Sequence, residues 1–413
     1  MVISMITFIF PIVGLMLILC ILIKNWNCDI SSNLKKYVFP FGFIFGSLGY
    51  SMEFGDKIND LTRYFDIVAS LKDFSLNYIL TNDRELLYTK DIIFYFVSRT
   101  NELHILPFIT GFIVYTITFY VLFDIVKKSN RKFKTKELFM LILISIGIIT
   151  PYSIIVNVRC VLSYTIIIFA IYRELIQKKR NIVTLMLYIL PIGLHSSAII
   201  IIIIRLISIL FKKFKKISIA IALFLPTLID IIYNYVGYLN IGIIGTIITN
   251  AINKAYAYLH WTEGGWATEI ESSVSNIFQR TTGSIFLITI IILIIYINRK
   301  RAKKDNGKYQ MINFLYFMSI FALGCLWIKT GAFWRFETMV VLFSPIVFVT
   351  ALEENEKFRN IFIKIFVLVF LVFLVNLVYQ ARNMDILITV MNFIKLSGIK
   401  ILYEFLYGII NFI

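Results

Sequence analysis

The sequence predicts an all-α, polytopic integral membrane protein with about 12 transmembrane helices (11–13). Three observations carry this. Hydrophobic residues make up 59% of 413 residues and charged residues 16%, whereas soluble domains run about half and about a quarter. The apolar residues fall in long uninterrupted runs, each of which can fill a span of ~20 residues. The net charge of +17 gathers in short loops between those runs. A water-soluble enzyme is thereby excluded. With only 19 Gly, 7 Pro and 4 Cys, so are collagenous, disordered and disulfide-stapled chains.

The runs, in order, are 2–23, 37–50, 103–126, 137–156, 159–177, 181–193, 196–211, 217–237, 284–298, 309–329, 336–352 and 361–379. No basic residue precedes the first and no small-residue cleavage site follows it, so it reads as a retained span and not a signal peptide. The arms of 181–211 are short and predict a tight helical hairpin broken at Pro191-Ile192-Gly193, or a re-entrant loop. Residues 385–413 alternate apolar and polar positions and predict an interfacial amphipathic helix or a thirteenth span. The whole chain, 1–413, reads as a single transmembrane domain.

Charge sets the orientation. Basic clusters fall at Lys127–Lys136, Arg173–Arg180, Lys212–Lys216 and Arg299–Lys308. By the positive-inside rule these loops are cytoplasmic, which puts the N-terminus outside. Two loops then face out: 51–102, expected to hold amphipathic helices, and 238–283. Residues 51–85 carry four Lys/Arg against seven Asp/Glu. The positive excess is thus topology, and no nucleic-acid partner is expected. Cys20, Cys28, Cys160 and Cys325 share no metal-ligand spacing, and no metal or cofactor is expected.

An ionisable side chain within a span costs ~2.5–3.5 kcal/mol on insertion scales, so it is seldom there without a use. Four sites stand out, all expected at external helix ends. The first is the acidic segment Glu53–Asp66, where Asp60 and Tyr64, and Arg63 and Asp66, are spaced to share helix faces. The second is the turn Asn157-Val158-Arg159. Its guanidinium suits bidentate phosphate binding, or else snorkels to headgroups. The third is His195-Ser196-Ser197, beside Pro191 and Gly193, where an imidazole can move a proton near neutral pH. The fourth is Gly331–Glu337, where Arg335 could bind an anion or simply be neutralised by Glu337. His104 and His260 are weaker candidates, and the aromatic run Tyr256–Trp266 reads as a membrane-interface belt or a sugar-stacking surface.

The order of these pieces resembles the EpsG/Wzy group of bacterial polysaccharide polymerases. The matching segments are Asp60-Leu-Thr-Arg-Tyr64, Asn157-Val-Arg159, His195-Ser-Ser-Ala198 and Arg335 opening a late apolar run. This chain has Tyr50 and Glu53 where many relatives carry an Arg, and it lacks the paired Arg-x10-Gly motifs of some O-antigen polymerases.

The resemblance implies a fold like the multi-span polyprenyl-dependent glycosyltransferases. It implies an enzyme on the outer face of the bacterial cytoplasmic membrane that joins undecaprenyl-pyrophosphate-linked repeat units into O-antigen, capsule or exopolysaccharide. It assigns His195, and after it Asp60, as catalytic base. Arg159 and Arg335 would hold the pyrophosphate, with Arg63, Tyr64, Asn157 and Ser196 around the pyrophosphate and sugars. A chain-length regulator and a flippase are the implied protein partners. An O-antigen ligase, a flippase or transporter of lipid-linked sugars, and a membrane acyltransferase are the competing readings. The polymerase reading expects Arg159, His195 and Arg335 to share one pocket facing away from the cytosol.

Overall fold

A computed structural model describes residues 2–30, 34–54, 59–82, 86–210, 215–236, short stretches within 245–256, 274–300, 307–327, 332–355, 358–380 and 385–412. No strand occurs among the described residues. Two compact units form: Met1–Asp83, Tyr88–Thr165 and Asn355–Ile413 make the first, Arg84–Leu87 and Ile166–Glu354 the second.

In the first unit, α1 (Val2–Ile9) and α2 (Pro11–Lys24) divide the run expected as one span. Pro11 lacks an N–H and opens α2, so the helix restarts there. α3 (Val38–Ser51) lies along α7 (Ile105–Lys127). Small residues permit that approach: a Cβ on Gly49 would lie 2.6 Å from the Pro107 carbonyl oxygen, and one on Gly111 2.6 Å from that of Phe45.

Between them the chain forms α4 (Asp60–Ser70), α5 (Leu76–Asn82) and α6 (Tyr88–Ser98). The run 137–156 is likewise two helices, α8 (Thr135–Gly147) and α9 (Pro151–Val156). At their break the Ile148 carbonyl receives Asn376 Nδ2 at 2.7 Å from α18 (Phe358–Gln380). The tail forms α19 (Ile386–Lys395) and α20 (Gly398–Phe412), bent by 87°.

Ion pairs tie the basic loops together at one end of this unit. Asp124 binds Lys35 at 3.1 Å and Lys128 at 2.7 Å, and Glu137 binds Arg131 at 2.8 Å and Arg359 at 3.5 Å. α3 leaves that end and α7 returns to it, so α4–α6 and the end of α9 lie at the other.

The second unit contains most of α10 (Val158–Leu175), then α11 (Ile182–Ile189), α12 (Ala198–Leu210) and α13 (Lys215–Val236). They are followed by α14 (Val274–Lys300), α15 (Gly307–Trp327), α16 (Ala332–Phe343) and α17 (Pro345–Glu354). Glu174 accepts from Tyr188 Oη at 2.8 Å and pairs with Arg205 at 3.4 Å, joining α10, α11 and α12.

Four described helices are long and apolar enough to cross a membrane: Ile105–Lys127, Ile277–Arg299, Gly307–Trp327 and Phe358–Val378. Counting each of the bent pairs α16–α17 (43°) and α19–α20 as one span brings the number among the described residues to at most six. The expected twelve came from counting apolar runs. Several runs are broken at prolines or form helices of only 8–14 residues, such as α2, α11 and α12. Of the expected outer loops, most of 238–273 lies outside the described residues, with His260 and Trp266; so do Asp56 and Gly331.

Candidate functional site

The first group of candidates lies in the first unit. Asn59 caps α4: its side chain accepts from the Thr62 N–H at 3.0 Å, and the Thr62 hydroxyl accepts from the Asn59 N–H at 2.9 Å. The cap fixes where the helix starts and hence which way its residues point. Leu61 and Val68 turn inward, and Tyr64 packs on Phe94 of α6 with ring centroids 5.5 Å apart. Arg63 Nη2 reaches Asp60 Oδ1 at 2.5 Å, one turn back along the exposed edge. The sequence spacing had suggested Asp66 as the partner of Arg63.

Asn157 ends α9, its Nδ2 donating to the Ser153 carbonyl at 2.8 Å. This satisfies one of the carbonyls left over at a helix end. The chain turns there, and Arg159 falls in the first turn of α10. Its Nε donates to Tyr64 Oη at 3.0 Å, and its guanidinium carbon lies 4.9 Å from the Tyr64 ring centroid. Residues 95 apart in sequence thus meet, and the hydroxyl uses one of the five guanidinium donors. They do so at the end of the unit opposite the basic loops. The helix N-terminus adds partial positive charge beside the guanidinium, so this corner suits an anion.

The second group lies in the second unit. α11 has eight residues and rises about 12 Å, against a hydrocarbon core of ~30 Å. The turn after it carries His195, Ser196 and Ser197, which are 2%, 4% and 3% exposed. The turn is packed inside its unit. The Ser197 N–H donates to His195 Nδ1 at 3.3 Å, and Ser197 Oγ stands 2.5 Å from the same atom. A backbone N–H can only donate, so Nδ1 accepts, and the neutral imidazole carries its proton on Nε2.

Arg335 is half-buried in the first turns of α16. Glu337 does not neutralise it. Two residues apart on a helix means about 200° of rotation, and Glu337 turns inward to 1% exposure. There it meets Gly283 of α14, where any Cβ would strike its Oε1.

Each group is therefore set within its own unit: Asp60, Arg63, Tyr64, Asn157 and Arg159 in the first, His195, Ser196 and Arg335 in the second. Two contributors, and the helical setting of Arg280, escaped the sequence reading. Phe94 supports Tyr64, and its signal was only an apolar position in an outer loop. Ser197 holds the imidazole, and it lay inside the quoted motif without a role. Arg280 was assigned to a loop, yet α14 begins six residues before it.

Among curated proteins and solved structures nothing matches the chain. A family model, that of the EpsG family, matches residues 36–396. That span includes every candidate residue named above, and on it the chain belongs to the EpsG family.

Proposed function

We propose that this chain is a polysaccharide polymerase of the bacterial cytoplasmic membrane. Its apolar helices and its family point to a multi-pass membrane protein and to a polymerase-type role. In the proposed reaction, a sugar chain on undecaprenyl pyrophosphate passes to a hydroxyl of the next lipid-linked repeat unit. The anomeric carbon–oxygen bond to phosphate breaks, a glycosidic bond forms, and undecaprenyl pyrophosphate leaves with its charge growing in the transition state. Fixed cations aimed at that charge lower the barrier, and Arg159 and Arg335 are assigned that work. Positioning by arginines serves this chemistry because the leaving group is an anion already suited to bidentate donors.

The observation that carries the reading is the Arg159–Tyr64 contact. It is built from two distant segments, in the first turn of α10, at the end of its unit away from the basic loops. A snorkelling arginine needs no tyrosine hydroxyl to orient it. The product is proposed to be O-antigen, capsule or exopolysaccharide, made on the outer face from substrates that a flippase delivers.

A deletion strain tests this. Loss of a polymerase leaves lipid carrying a single repeat unit at the outer surface. Full-length polymer stranded on its polyprenyl carrier points to a ligase instead, and absence of any outer product to a flippase.

A further inference from the structure

Every glycosyl transfer of this kind releases a proton from the acceptor hydroxyl, and the chain must offer that proton a place. The two groups that sequence reasoning offered are both engaged. Asp60 is bound to Arg63 at 2.5 Å. His195 Nδ1 accepts from Ser197, which leaves the ring's proton on Nε2.

Glu337 differs from both. It is 1% exposed, and its Oε2 has no hydrogen-bond partner among the described residues. Packing alone does not explain it. An apolar side chain of similar length would fill the same space against Gly283, and buried polar groups without partners are rare because each has lost its water and gained nothing in return. An ionisable group kept within an apolar helical unit is a functional candidate by default. It sits on the sixth residue of α16, about 8 Å from the helix start. On the facing helix α14, Arg280 lies one turn before Gly283 and Gln279 beside it, while Arg335 projects from the other side of α16. Phe336, its neighbour, packs on Phe321 of α15 with centroids 4.6 Å apart, which holds α16 in register.

We propose that Glu337 is the catalytic base of the polymerisation, its carboxylate taking the proton of the acceptor sugar hydroxyl. The assignment rests on the polymerase reading above. Glu337 supplies lone pairs not yet used; a sugar hydroxyl supplies the donor they lack. As the acceptor oxygen bonds to the anomeric carbon, its proton passes to the carboxylate. The electron pair of the breaking carbon–oxygen bond leaves on the pyrophosphate. The carboxylic acid then returns the proton to water, and no other reactant is needed.

The test uses the purified full chain in proteoliposomes with lipid-linked repeat units extracted from a polymerase-deleted strain. Farnesyl pyrophosphate serves as a separate binding probe. Glu337→Gln keeps the shape and removes the base. It is expected to lower polymer formation at least 100-fold while affinity for farnesyl pyrophosphate stays within twofold. Glu337→Ala is expected to be inactive and to regain at least tenfold when formate supplies a carboxylate. A Glu337→Gln chain that polymerises within threefold of wild type overturns the assignment, as does a folded Glu337→Ala chain that formate leaves idle. A wild-type chain that makes no polymer in the same vesicles overturns the polymerase reading itself.

Discussion

Replacing Tyr64 with Phe removes one hydroxyl from the Arg159 contact and leaves the ring in place. The 3.0 Å bond from Nε to Oη goes, and the guanidinium keeps its position 4.9 Å from the ring centroid. A hydrogen bond to a charged group is worth about 1.5–3 kcal/mol, and each 1.36 kcal/mol is a factor of ten in rate. If the hydroxyl's task is to aim the guanidinium at the leaving pyrophosphate, Tyr64→Phe lowers kcat/KM by about 10- to 150-fold. Tyr64→Leu also removes the cation–π contact, worth a further ~0.5–1 kcal/mol, so it falls lower still. Arg159→Lys keeps a charge but loses the planar fork and the Nε donor, and loses more than Tyr64→Phe. The assay is chain growth in proteoliposomes, read as the ladder of product lengths against time at equal protein. A Tyr64→Phe chain with wild-type kcat/KM refutes the reasoning, because the contact would then be packing without a catalytic consequence.

Further outcomes follow from single contacts. Asn59→Ala removes the α4 cap and lowers stability by about 1 kcal/mol; a chemical-denaturation midpoint measures it, and activity drops further because Tyr64 rides on that helix. Gly283→Ala drives a methyl into the Glu337 carboxyl and costs about 1–3 kcal/mol; the double variant with Glu337→Ala recovers most of it in a double-mutant cycle. The Asp124 carboxylate bonded to Lys35 holds that ammonium above its ordinary value of 10.5. Because the folded value is the higher one, the pair's contribution is complete below about 10.4. It disappears as pH rises through the folded value. Melting curves of wild type and Lys35→Met should therefore differ below pH 10 and converge at higher pH.

The helical class was legible because lipid-facing surface must be apolar, and composition reports that directly. The continuity of the helices was not. Hydropathy registers apolarity, not continuity, so 2–23 and 137–156 read as single spans although Pro11 and Pro151 each restart a helix. The reverse error occurred at Gln279–Gly283, where polar residues suggested a loop and α14 is already helical. Of the first candidate group, α4 was legible from its spacing, but the partners were not. Arg63 turned to Asp60 and not to Asp66, because side chains on a helix lean toward its N-terminus. The meeting of Tyr64 with Arg159 depends on tertiary packing across 95 residues, which no local pattern encodes. Glu337 was visible only as a charge beside Arg335. Its separation from that arginine follows from helix geometry once the helix is known to run through both.

The most direct test of the polymerase account is chain growth by the purified protein alone. Proteoliposomes holding the full chain are given undecaprenyl-pyrophosphate-linked repeat units, and products are resolved by length while free undecaprenyl pyrophosphate is measured. The account predicts a ladder of lengthening chains, one undecaprenyl pyrophosphate freed per unit added, and neither with Arg159→Ala or Arg335→Ala. Repeat units that stay single, or ladders that persist in both arginine variants, contradict it.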